Sequence, residues 1–165
     1  MDSDARGVCE GGGSWGARVR ASVWLRVASV LTFVHAVLHT VGGVFGRVAP
    51  GAEQTAVDAM KGNTFAAMGV TRTMWEFYRG MGLAVTVFLT LIAVLLWQMA
   101  VLAKTEMFPL LRPVLGAFVL GFLLMAVVSW QYFFAGPVVT ELLIAVCVGM
   151  AIIPAKAPQR SGVEV

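Results

Sequence analysis

Val27 to Gly46 (VASVLTFVHAVLHTVGGVFG) is a run of twenty residues without a full charge, and it holds both histidines of the chain. At about 1.5 Å per residue, a helix of that length covers the roughly 30 Å hydrocarbon core of a bilayer. The run therefore reads as a membrane-spanning helix. On it Ala28, Leu31, Thr32, His35, His39, Gly42 and Gly46 share one side, and Phe33, Val37 and Val44 share the other. The first side is small and polar and suits a protein neighbour. The second suits lipid. The run exceeds the apolar stretch of a cleaved leader and follows a polar segment, so it is read as retained.

Three more windows have the length and apolarity of spans or nearly so: Gly80–Ala103, Pro113–Ala135 and Val138–Ile153, the last of 16 residues with Glu141 inside it. With 59% hydrophobic and 13% charged residues among 165, four spans leave no room for a sizeable soluble domain. The expected organisation is a disordered cytoplasmic tail over 1–22, a membrane domain over 23–154 and a second cytoplasmic tail over 155–165. Both termini are assigned to the cytoplasm by the positive-inside rule. Arg6, Arg18, Arg20, Arg26, Lys104, Arg112, Lys156 and Arg160 flank one side, against Arg47, Lys61, Arg72 and Arg79 on the other. The scattering of these cations argues against a nucleic-acid partner, which needs a clustered basic surface. Cys9 in the tail and Cys147 inside the fourth window imply no disulfide framework.

Between the first two windows, Pro50-Gly51 breaks the first helix, and Glu53–Lys61 forms a short surface helix ended by Gly62-Asn63. Met68–Leu83 (MGVTRTMWEFYRGMGL) is the second informative stretch, and a helix is one conformation for it. That puts Arg72 four residues before Glu76 and Arg79 three after it, so two guanidinium groups flank one carboxylate. Trp75, Phe77 and Tyr78 form an aromatic belt, as do Trp130 and Tyr132 at the end of the third window.

Depth brings the polar residues together. On ideal helices His35 lies near the midplane, His39 about 4 Å outward of it, Glu141 about 7 Å outward and Gln131 about 10 Å outward. Arg79 enters from the outer end of its helix, with Arg72 and Glu76 beside it. His35, His39, Arg72, Glu76, Arg79, Gln131 and Glu141 are therefore the candidate ligand-binding set. An ionisable group in hydrocarbon costs about 2.5–3.5 kcal/mol on the insertion scale and must face a partner. Glu141 is expected to pair with His39 or Arg79.

Several chemistries compete for this set. The spacing of His35 and His39 lets two imidazoles share a metal, but only Glu141 or Glu76 is at hand to complete a site, so no metal is assigned. Two histidines on one helix face cannot bracket one haem iron. No cofactor is predicted, with haem, quinone and metal left open. A His39–Glu141 pair is also the raw material of a proton relay or of acid–base catalysis, yet no nucleophile or third orienting group can be named, and no catalytic residue is assigned. The leading reading is a non-enzymatic plasma-membrane protein whose outer polar cluster orders the bundle and takes a small or lipophilic ligand. The alternative is a membrane enzyme or quinone-linked redox subunit using the His–Glu pair. Gly42 and Gly46 form a GxxxG match that leaves a homo-oligomer open.

His39-Thr40-x-Gly42, Met68-Gly69-x-x-Arg72-x-x-Trp75-x-Phe77-Tyr78-x-Gly80-x-Gly82-Leu83 and Trp130-x-Tyr132-Phe133-Phe134 resemble a group of small bacterial integral membrane proteins with four helices. The likeness covers roughly His39 to Pro137. More distantly, the chain is similar to DoxX-like four-helix proteins, some of them associated with quinone-linked respiratory complexes. The resemblance implies architecture, a bacterial inner membrane, and no particular activity. The expected fold is all-α: an antiparallel four-helix transmembrane bundle with a structured outer loop between helices 1 and 2.

Overall fold

The computed structural model describes residues 10–153, with side chains from residue 15 onward. The tail over 155–165, Cys9 and the cations Arg6, Lys156 and Arg160 lie outside the described residues. Among the described residues four helices are long and apolar enough to cross a membrane: α1 (Glu10–Leu38, continued by a π-helical turn over His39–Val44), α3 (Met74–Leu102), α4 (Phe108–Tyr132) and α5 (Ala135–Ile152). Between the first two lie a short helix α2 (Ala52–Gly62) and a hairpin of β1 (Thr64–Ala67) and β2 (Val70–Thr73). All four long helices carry large apolar side chains on the outside, among them Phe33, Val87, Phe88, Leu124 and Val146. Such a surface in water would be an aggregation patch. In lipid it is the ordinary exterior.

Two compact units divide the described chain, Thr32–Ala93 and the residues on either side of it. In the second of these, α4 and α5 pack against each other across the two-residue link Phe133–Phe134. Leu115, Phe122, Ala126 and Ser129 form the buried stripe of α4, and Glu141, Ile144, Ala145, Val148 and Ala151 that of α5. The small residues in both stripes allow close approach, which is how helices associate in lipid. Pro109 sits in the first turn of α4, where its missing N–H has no intrahelical partner to lose. Pro113, where the third window begins, lies inside the helix, which starts five residues earlier at Phe108.

Helix α1 begins at Glu10, so residues 10–22, part of the expected disordered tail, are helical, and residues 1–9 lie outside the described residues. Ala21, Ser22 and Leu25 are buried, and Arg18 grips Glu106 with both guanidinium arms, Nη2 to Oε2 at 2.9 Å. A glycine-rich composition suggested a loose tail. The helix runs through Gly11–Gly13 nonetheless. Arg26 lies over the Trp97 ring at 5.2 Å, the aromatic–cation pairing expected near a membrane surface.

In Thr32–Ala93 the short helix α2 matches its expected bounds to within one residue at each end, with Asn63 following it and Val57 buried. The hairpin is a correction. The helical alternative for Met68–Leu83 does not hold over its first six residues: α3 starts at Met74 and Arg72 lies in β2. Met68 (φ 50°) and Gly69 (φ 80°) form a two-residue turn with both backbones left-handed, the arrangement that matches hairpin twist. Thr73 then stops the strand and starts the helix. Its hydroxyl accepts from Glu76 N at 3.1 Å, and Glu76 Oε2 accepts from Thr73 N at 2.8 Å. That reciprocal pair is a capping box, written in the sequence as Thr-Met-Trp-Glu.

Candidate functional site

The π-helical turn decides which side chains of the first span meet α3. Thr40 C=O accepts from Phe45 N, five residues on, at 3.0 Å, so the turn holds one residue more than an α-helical one. Up to His39 the expected faces hold: Ala28 and Thr32 are buried, Leu31, His35 and His39 half-buried, and Phe33 and Val37 exposed. Beyond it the register rotates. Val44, assigned to the lipid side, is buried, and Gly46 leaves the helix altogether. A Cβ on Gly46 would collide with the Gly42 carbonyl oxygen. Gly46 therefore answers a contact inside its own turn, and Gly42 and Gly46 do not form a continuous helical stripe for a second chain.

Opposite this turn, α3 presents Arg79, Gly82, Thr86 and Thr90, spaced at three and four residues along one face. His39 Nε2 lies 3.0 Å from the Gly82 carbonyl oxygen. A carbonyl only accepts, so Nε2 carries the proton and donates. One turn further along, Thr40 Oγ1 and Thr86 Oγ1 are 2.9 Å apart. The Thr40 hydroxyl also lies 2.7 Å from Ala36 O and the Thr86 hydroxyl 3.2 Å from Gly82 O, so each has a carbonyl acceptor in its own helix besides the other threonine. Thr90 closes the series by donating to Thr86 O at 2.8 Å. Gly82 permits this approach because it has no side chain: a Cβ there would lie 2.8 Å from Val44 Cγ2.

Arg79 sits one turn from Gly82 towards the start of α3, half-buried, with its guanidinium carbon 4.7 Å from the centre of the Phe45 ring. Trp75 stacks on Tyr78 at 5.7 Å, and the Lys61 ammonium lies 5.7 Å over the Trp75 ring. Phe65 of the hairpin meets Phe77 edge-on at 5.7 Å. The head of α3 is thus a collar of aromatic rings and cations, which the sequence indicated in its composition but not in its pairings.

The predicted site residues separate by surroundings. His35, His39, Arg72, Glu76 and Arg79 belong to the unit Thr32–Ala93, and Gln131 and Glu141 to the other. Arg72 is exposed on β2 and bonds the adjacent Thr71 carbonyl at 3.1 Å; Glu76 is exposed and serves the cap. The helical Arg72–Glu76–Arg79 triad is absent, because the hairpin turn takes Arg72 off the helix. Gln131 is exposed at the end of α4. Glu141 is 3% exposed and accepts a hydrogen bond from Ser129 Oγ at 3.0 Å. Among the described residues no three His, Cys, Asp or Glu side chains gather as a metal site.

Sequence reasoning passed over Thr40, Phe45, Gly82 and Ser129. Thr40 and Gly82 stood within the quoted motifs, but only the π turn, which no spacing rule signals, assigns them their partners. No protein-family model matches the chain, and neither curated proteins nor solved structures yield a match.

Proposed function

We propose that this chain is a non-enzymatic, multi-pass protein of a bacterial plasma membrane, an antiparallel four-helix bundle with both termini in the cytoplasm. Its outer polar side chains tie the helices together and border a place for a small lipophilic ligand. The kinship with small four-helix and DoxX-like membrane proteins is part of the same proposal. The observation that carries the reading is the His39–Gly82 hydrogen bond. The histidine that would serve as acid or base in an enzyme holds its Nε2 proton against a main-chain carbonyl, and Thr40 and Thr86 repeat the contact one turn on. In a low-dielectric setting such bonds act as interhelical ties.

His39→Ala tests this. Losing the tie leaves the Gly82 carbonyl short of one partner, and the melting temperature in detergent should fall by the equivalent of roughly 1–2 kcal/mol. Any small lipophilic molecule that copurifies with the parent protein should be depleted with it. Unchanged stability with a lost redox or ligand-turnover activity would instead make His39 a reacting group and overturn the non-enzymatic reading.

A further inference from the structure

Arg79 is the one cation of the Thr32–Ala93 unit that lies inside a membrane span. Its guanidinium stacks on Phe45, which covers a face and leaves the N–H edge for an acceptor. Its Nε is buried and has no hydrogen-bond partner among the described residues. The unit holds three acidic side chains, and each is engaged elsewhere. Glu53 Oε2 accepts from Ala49 N, Asp58 faces Gln54 and Lys61, and Glu76 Oε2 accepts from Thr73. An arginine at this depth without a carboxylate is an expensive placement unless an acceptor comes from outside the chain.

Position and chemistry identify that acceptor. Arg79 is five residues into α3, about 7.5 Å along the axis from Met74, which places it just beneath the aromatic collar of Trp75 and Tyr78. Rings of this kind lie at the level of lipid headgroups. A guanidinium offers a planar fork that matches two phosphate oxygens, and its charge favours a lipid with net negative charge over a zwitterionic one. We propose that Arg79, backed by Phe45, binds the phosphate of an anionic phospholipid in the leaflet at the head of α3. The proposal rests on the reading that α3 crosses the bilayer with Met74 at its rim, and it names a phospholipid as the lipophilic ligand at this corner.

The test is native mass spectrometry of the full chain released from micelles that contain phosphatidylglycerol and phosphatidylcholine with identical acyl chains. The parent protein should retain phosphatidylglycerol preferentially. Arg79→Gln should reduce that preference roughly tenfold, the size of one charge-assisted contact. Arg72→Gln, which removes an exposed charge on β2, should leave it unchanged. Should Arg79→Gln not fold, Arg79→Lys carries the test: it keeps the charge, loses the fork, and should lose preference. Equal retention of both lipids by the parent, or an equal loss in the Arg72 variant, would overturn the proposal. Loss of the phosphatidylglycerol preference on adding inorganic phosphate at the lipid's own concentration would also overturn it, by reducing the site to one for a free anion. Failure of α3 to cross the bilayer would show in thiol labelling of the loops, whatever the headgroup result.

Discussion

Gly82→Ala is expected to lower stability by about 1–3 kcal/mol, although alanine is the better helix former. Propensity alone gives the opposite sign, a gain of up to about 1 kcal/mol for an alanine in a helix interior. Two effects outweigh it. The new methyl would sit 2.8 Å from Val44 Cγ2, and Val44 is 5% exposed and β-branched, so it cannot swing aside freely. Relief therefore requires the π turn to back away from α3. That lengthens the His39–Gly82 bond, now 3.0 Å, and the Thr40–Thr86 bond, now 2.9 Å. The double variant Gly82→Ala/Val44→Ala should recover much of the loss, since the methyl then keeps only ordinary contacts, 3.8 Å to the Cβ of residue 44 and 4.0 Å to His39 Nε2, and the two sites couple. A chemical-denaturation series on the four proteins measures this. A stabilised single variant, or a double variant that is simply additive, would show that α3 and the π turn do not meet at Gly82.

Ser129→Ala should cost about 1–3 kcal/mol, well above the few tenths usual for an exposed serine. Ser129 is 2% exposed and Glu141 3% exposed, and the hydroxyl donates to Glu141 Oε1 at 3.0 Å. Removing the donor leaves that oxygen of a buried carboxyl group with one fewer partner, where water cannot replace it. Glu141→Gln should be milder, because the amide oxygen still accepts from Ser129. The ordering matters more than the size. Equal effects of Ser129→Ala and Glu141→Gln, read as melting temperatures in the same detergent, would mean that the hydroxyl does not hold the carboxyl group.

Element by element, the residues differ in how openly they announce their places. Long apolar runs predict α1, α3, α4 and α5 because a bilayer imposes length and hydrophobicity together, and Glu53–Lys61 predicts α2 through its breakers on both sides. Thr73-Met74-Trp75-Glu76 carries the start of α3 in plain form, yet the helical spacing of Arg72, Glu76 and Arg79 masks it. Met68 at a positive φ hides the hairpin, since that position is usually Asn, Asp or Gly. The start of α1 at Glu10 is hidden for the opposite reason: local composition favours disorder, and the Arg18–Glu106 ion pair joins residues far apart in the chain. The candidate site was legible as residue types at one depth. The partners were not. A π turn shifts Val44 inward and sets His39 against Gly82, and one extra residue in a turn leaves no mark in a pattern of apolar and polar positions.

In the proposed arrangement four helices cross the membrane alternately, with the α2–hairpin loop and the α4–α5 turn on one side and the α3–α4 loop on the other. Single cysteines at Thr71, Thr105 and Phe134, in a background carrying Cys9→Ser and Cys147→Ala, test it most directly in bacterial spheroplasts with a membrane-impermeant maleimide. Thr71→Cys and Phe134→Cys should react in intact spheroplasts, and Thr105→Cys only after the membrane is opened. Labelling of Thr105→Cys in intact spheroplasts together with Thr71→Cys would contradict it.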